Sequence, residues 1–369
     1  MCLLIRLKIT LNIKLKIVYA YFHRFLRFNN SMFHHFFAIL SYFPLKLVLN
    51  NRILTILVVL IGVPAFLLLV NVVARKVSEP HKTWMIHFLN SILYLPMILK
   101  LGPYKKDMNI HESCKSAVKR TKLDDFGGKG GKSFLRNYEL ILKSECLKNQ
   151  TFNPLGYFIA QKEITDTMKA RLKRCDFFKR YPESLDVEVK RPIFVIGLPR
   201  TGTTFFHRLL SLNPTCRAPL TWELLSPTPL NVDDLTKDRA KRRRKMDANL
   251  QQMKSVGGGI LANIHEVGTD LPEECLVSLT HDLPCLLSLM FACFVNHEEF
   301  LEMETFSAYE NYKDVLRMLS WQIKESGKEG EKDPRQWVLK SPMHLLFVDA
   351  IVNAFPDAII VWTHRFPLL

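Results

Sequence analysis

No aspartate or glutamate occurs in the first 78 residues; Glu79 is the first acid of the chain. Across residues 1–100, 12 lysines and arginines face that single carboxylate, so this segment holds +11 of the net +16 and residues 101–369 only +5. A basic excess confined to one end, beside the most apolar run of the chain, suits an anionic membrane surface. With no basic-aromatic pattern along the later strands, it argues against nucleic acid as a partner. The eight cysteines form no C-x-x-C pair and no Cys/His spacing typical of zinc, so no metal is expected.

Charge is missing altogether from Ile53 to Ala74, between Arg52 and Arg75-Lys76. At about 1.5 Å per residue such a run crosses the roughly 30 Å hydrocarbon layer, and Pro64 inside it is tolerable in a membrane helix. The acid-free basic segment before it predicts a cytoplasmic N-terminus and a lumenal remainder. The chain therefore divides into a basic N-terminal segment (1–52), a transmembrane helix (53–74), a helical and linker region (75–185) and an α/β domain (186–369). Residues 1–50 read equally as an interfacial helix or as sequence that does not fold. Trp84–Leu99 reads as a membrane-surface helix or a buried one. Asn149-Gln150-Thr151 is a glycosylation sequon, usable only in a lumen.

The stretch "RPIFVIGLPRTGTTFFHRLLSLNP", 191–214, reads as a strand, a glycine-bounded loop and an amphipathic helix with Phe205, Phe206, Leu209 and Leu210 on its apolar side. Gly197 to Thr204 has the spacing of a nucleotide-binding phosphate loop, but Thr203 stands where the lysine belongs. No aspartate follows an apolar strand as a magnesium ligand would. Both absences count against a P-loop kinase. A second glycine run, "FGGKGGKS" at 126–133, has Phe126 where the opening glycine belongs and no strand before it, so it reads as a flexible loop. "WVLKSP" and "AIIVWTHR" read as two further strands around the helical "MHLLFVDAIVNAFP". Alternating strands and helices imply a parallel sheet covered on both faces, with Arg200, Lys340 and Arg365 at the carboxyl ends of strands, where such sheets bind ligands. The run Lys241–Lys245 reads as a solvated helix face.

Five ordered blocks, "IFVIGLPRTGTT", "TWELLSP", "HEVGTDLPEEC", "WVLKSPMHL" and "FPDAIIVWTHRFP", resemble the sulfotransferases that use 3′-phosphoadenosine-5′-phosphosulfate (PAPS). The resemblance covers roughly residues 190–369. It implies a P-loop-kinase-like sheet and transfer of a sulfuryl group to a hydroxyl or amine of a glycan, a protein tyrosine or a small molecule. Together with the apolar run and its basic flank, it predicts a membrane-anchored, type II enzyme of the Golgi.

The residues agree with that chemistry. Thr201, Gly202, Thr203 and Thr204, with the positive end of the following helix, suit the donor's 5′-phosphate. Arg200 suits the bridging oxygen, where charge grows as the sulfuryl group leaves. The resemblance places Lys340 at the sulfuryl oxygens and Arg365 on the 3′-phosphate. It also implies a base. The histidine that cytosolic relatives use two residues after the strand-end lysine is replaced by Pro342. Glu223 in "TWELLSP" has the position used by membrane-bound relatives and is the expected base, a helix-start carboxylate being the alternative reading. His265, Glu266, Glu273 and Glu274 are the other candidates, and His344 reads as structural. The serine that relatives place about eight residues after the final arginine would fall beyond Leu369, which predicts a C-terminally incomplete domain or a catalytically inactive binding protein of this fold.

Overall fold

The computed structural model describes residues 83–105, 108–143, 152–257, 266–284, 302–326 and 335–365, with a few positions between 65 and 76. Most of the apolar run 53–74, the sequon at Asn149, His265 and residues 366–369 lie outside them. Among the described residues, no helix is long and apolar enough to cross a membrane. Val72–Leu369 forms one compact unit.

Among the described residues, the α-helices α1 (Trp84–Ile98), α2 (Ile110–Thr121), α3 (Gly128–Lys143) and α4 (Pro154–Arg180) precede the sheet. Local chemistry sets their ends. Asn109 caps α2 by accepting the His111 N–H, and Asn153 caps α4 by accepting the Gly156 N–H at 2.8 Å, with Pro154 at the first helical position. The apolar faces of α2, α3 and α4 meet in a cluster of Ile110, Ala117, Phe134, Tyr138, Met168 and Leu172.

The glycine run expected as a flexible loop is instead the start of α3. Two of its glycines, Gly127 and Gly131, serve close packing. A Cβ on Gly131 would lie 2.5 Å from the Phe126 carbonyl oxygen, and one on Gly127, at φ +96°, 3.0 Å from Cys175 Sγ on α4. Arg171 of α4 donates to that same Phe126 carbonyl at 2.9 Å. Short-range composition signalled a loop, whereas tertiary contact with α4 supports a helix that glycine alone disfavours.

Arg171 and Arg174 are both buried, and both close on the buried Asp282 carboxylate, which also accepts from Asn311. This cluster ties α4 to the segment at 276–284. Removing one partner of a buried ion pair leaves an uncompensated charge. Asp282→Asn should therefore cost about 3–5 kcal/mol of stability, read as a lowered denaturant midpoint; an unchanged midpoint would show the cluster to be solvated.

The sheet has four parallel strands in the order β2-β3-β1-β4: β1 (Ile193–Ile196), β2 (Cys216–Arg217), β3 (Gln336–Lys340) and β4 (Ile359–Trp362). β1, β3 and β4 match the expected apolar runs; β2, two residues long, carries no readable period. In β1, Phe194 and Ile196 face one side, with Leu339 of β3, against the main core built on α9 (Phe306–Ser326). Val195 and Val338 face the other, under Phe206 and Leu210 of α5 (Thr203–Ser211). Period-two alternation thus covers both faces. Phe205 and Leu209, expected on the apolar side of α5, point outward, Phe205 at 73% exposure.

The other described α-helices are α6 (Thr221–Leu225), α7 (Leu235–Gly257), α8 (Leu276–Leu279) and, after a 3-10 turn at Pro342–Leu346, α10 (Val348–Ala354). The basic run 241–245 lies on α7 and is exposed except at Arg242, which is buried against Asp238 and Gln322.

Candidate active site

The carboxyl ends of β1, β3 and β4 converge on the loop 197–202. Close approach dictates Gly197: a Cβ there would meet Thr363 Oγ1 at 2.5 Å and Thr201 Oγ1 at 2.9 Å. Those two hydroxyls are themselves 2.9 Å apart, and the Thr363 N–H donates to the Ile196 carbonyl, so the end of β4 clamps the loop onto β1.

Arg200 (φ 72°) and Gly202 (φ 90°) are both left-handed, which turns the chain sharply into α5. Left-handed backbone is ordinary for glycine and costly for arginine, so strain is concentrated at one exposed cation. Thr201 donates its N–H to Leu198, but the N–H groups of Gly202, Thr203 and Thr204 find no acceptor among the described residues. Donors without acceptors at a helix start form an anion cradle.

Lys340 ends β3, beside Val195 in the sheet register. Its side chain is buried to 1% exposure, its Nζ donating to Thr204 Oγ1 at 3.0 Å and pairing with the Glu274 carboxylate. Lys340 therefore sits against the second residue of α5, at the mouth of the cradle. Arg200 and Arg365 are exposed and without partners among the described residues, Arg365 just beyond β4.

The candidate carboxylates separate by their ties. Glu223 is buried; one oxygen accepts from Arg217 at 2.8 Å and the other from the Leu220 N–H at 3.0 Å, the geometry of a helix-start carboxylate on α6. Glu266 pairs with Arg208 of α5 on the surface. Glu273 is buried and accepts the Glu274 N–H. Glu274 alone joins Lys340, with 21% of its side chain exposed.

The block 266–276 is what brings these groups together. It runs from a bridge between Leu220 and Pro272 to the end of β3, where the Cys275 N–H donates to the Lys340 carbonyl at 2.8 Å and Cys275 Sγ accepts the Lys340 N–H. Burial pushes the Cys275 thiol up to about 12, so it acts here as a neutral packing group. Burial also holds two nearby histidines down, His207 to about 4 and His344 to about 3, the latter aided by the Lys340 charge. Thr363 and the pairing of Glu274 with Lys340 are the parts of the site that sequence reasoning missed; a threonine closing an apolar strand is the only signal for the first.

Residues 192–368 match the model of the sulfotransferase family. No curated protein matches the chain in sequence. Among solved structures, sulfotransferase STF1 from Mycobacterium tuberculosis H37Rv is similar at 28% identity and a TM-score of 0.57, over 70% of this chain and 68% of that one. Sulfotransferase STF9 from Mycobacterium avium is similar at 26% identity and a TM-score of 0.55, over 70% of this chain and 63% of that one. With a four-stranded parallel sheet, a glycine-bounded loop opening α5 and a lysine at the adjacent strand end, residues 192–368 are similar to the sulfotransferase family in both sequence and fold.

Proposed function

We propose that the protein transfers the sulfuryl group of PAPS to a hydroxyl or amine acceptor. The observation that supports this most directly is Lys340: a fully buried ammonium placed 3.0 Å from Thr204 Oγ1, at the start of a helix whose first N–H groups lack acceptors among the described residues. The residues fit an anionic donor. The N–H groups of Gly202, Thr203 and Thr204 and the Thr204 hydroxyl would hold its 5′-phosphate, with Thr201 fixing the loop through Thr363 and Arg365 available to the 3′-phosphate. PAPS, when bound, supplies an activated sulfuryl group. Arg200 and Lys340 then stabilise charge that grows on the leaving oxygen and the sulfuryl oxygens, and electrostatic stabilisation of this kind supplies most of the rate gain in comparable group transfers.

A base must take the acceptor's proton. Both oxygens of Glu223 are engaged by Arg217 and Leu220, so in this reading Glu223 organises α6 and Glu274 takes the proton. Glu274→Gln should lower transfer about 10²–10⁴-fold with donor affinity unchanged. Glu223→Gln should instead lower stability, by leaving the buried Arg217 short of its anion. If Glu223→Gln kept its stability while losing transfer, the base would be Glu223; if Glu274→Gln weakened donor binding in step with rate, Glu274 would only position Lys340.

The activity itself is tested by incubating the full chain with PAPS carrying radiolabelled sulfate and a panel of glycan, tyrosine-peptide and small phenolic or amine acceptors. Label transferred to one class names the acceptor. No transfer to any, together with tight binding of 3′,5′-adenosine bisphosphate, would make the protein a binder of this fold. We further propose that this domain faces a lumen, since the basic segment precedes the apolar run; glycan at Asn149 in a secretory cell would support this, and digestion of residues 191–369 in intact microsomes would overturn it.

A further inference from the structure

Helix α1 is built inside out. A helix on a water-facing surface turns its apolar stripe inward and its polar residues outward. In α1 the residues buried against the protein are His87 and Asn90. Asn90 accepts the Leu155 N–H at 3.0 Å and returns its own amide to the Ile86 carbonyl, so the polar face is the one that fastens α1 to the start of α4. The exposed residues are large and apolar: Trp84, Met85, Phe88, Ile92, Leu95 and Ile98, with Trp84 at 54% and Leu95 at 59% exposure. At 3.6 residues per turn they fall within an arc of about 140°. Phe158 and Ile159 of α4, the helix packed on α1, and Leu101 just beyond α1 are exposed apolar residues as well.

Charge says what covers this face. No aspartate or glutamate occurs between Glu79 and Asp107, while Lys82, Lys100, Lys105 and Lys106 stand at the two ends of α1. An uncharged apolar stripe with lysines at both ends is complementary to acyl chains beneath a layer of anionic headgroups. A protein partner with a greasy groove would need no such one-signed rim. The sequence adds continuity, since only nine residues separate Trp84 from the apolar run that ends at Ala74.

We infer that α1 lies in the plane of an anionic membrane surface, its Trp84–Leu95 face sunk to the level of the upper acyl chains and Lys100 among the headgroups. This membrane contact is made by the folded unit itself, and it fixes that unit against the bilayer.

The test uses the full chain reconstituted in vesicles of equal parts phosphatidylcholine and phosphatidylserine, with bromine at shallow or deep acyl positions. The emission of Trp84 is isolated as the difference between the parent and Trp84→Phe. Shallow bromine should quench it strongly, deep bromine weakly, and quenching should fall in phosphatidylcholine alone. Phe88→Glu with Leu95→Glu, both at exposed sites, should reduce the quenched fraction to that of the unbrominated control, because each lost side chain weakens partition about tenfold or more. Trp84 emission indifferent to both bromolipids would overturn the inference, whether acrylamide then found it open to water or covered by protein. Deep quenching exceeding shallow would overturn it in favour of a buried span, and equal quenching in neutral vesicles would overturn the anionic part.

Discussion

Lys340→Met is expected to lower sulfuryl transfer by about 10²-fold or more while leaving the fold intact. Methionine keeps most of the length and packing of the lysine stem and deletes only the charge, at a site with 1% exposure where a shorter residue would open a cavity. What is lost is an ammonium held 3.0 Å from the Thr204 hydroxyl, close to where a sulfuryl group on the loop would develop charge. In so buried a place the interaction is scarcely screened by water. Because that charge grows toward the transition state, the loss should fall on kcat more than on donor affinity. Glu274, partly exposed, is left with a route to solvent, so the variant avoids a stranded anion. Arg200→Gln should show a loss of similar size for the leaving oxygen; its side chain is exposed, so stability should be unmoved. Near-parental turnover by Lys340→Met, in a preparation with parental stability, would remove the lysine from the chemistry.

How far the sequence reached follows from the range of each interaction. β1 was legible because a strand buried on both faces must be apolar along its whole length, as Ile193–Ile196 is, and β3 and β4 because each carries a short apolar run, although Ile360 and Trp362 of β4 are exposed. The loop was legible because glycine spacing is local: Gly197 is dictated by Thr363 Oγ1 and Gly202 by a φ of 90°. The same local reasoning failed at 126–133, where glycine marks close packing of a helix on α4 rather than a loop. It also misjudged which residues of α5 face the sheet, since Phe205 and Phe206 are neighbours of equal hydrophobicity and only packing on β1 and β3 decides between them. The Glu274–Lys340 pair joins residues 66 positions apart. No pattern in either block announces it, and "PEEC" offers two glutamates of which the fold sends only one to the lysine. Glu223 shows another limit: its position after the loop suggested chemistry, and its two hydrogen bonds, to Arg217 and the Leu220 N–H, could not be read from the sequence.

Stability should fall steeply as the pH drops below about 6.5, because the described core holds His207, His281 and His344 in neutral form. Burial keeps His207 and His281 at about 4 and His344 at about 3. For His344 the geometry supplies the cause. Its Nδ1 is 2.7 Å from the Tyr309 hydroxyl, but Nε2 has no partner among the described residues, so protonation would bury a charge with an unsatisfied N–H near the Lys340 ammonium. His207 Nε2 donates to the Val338 carbonyl at 3.1 Å beneath β3, and although that bond and Glu273 favour the charged form, burial outweighs both. The folded values lie below the unfolded one, so between them the unfolded chain takes up protons that the native chain refuses. The stabilisation is complete above pH 6.5 or so and is lost as pH falls toward the folded values. Each histidine costs about 1.4 kcal/mol per pH unit, or about 2 kcal/mol by pH 5. Three together reach about 6 kcal/mol, a large share of the 5–15 kcal/mol by which domains are stable. Denaturant titrations of the full chain in mild detergent between pH 7 and 5 should show this loss. His344→Gln, which can still bond Tyr309, should be less stable at pH 7 but lose one proton's worth of the slope. A stability that stayed level from pH 7 to 5 would mean that these histidines already titrate in the native state, and therefore that water reaches the interior beneath Lys340.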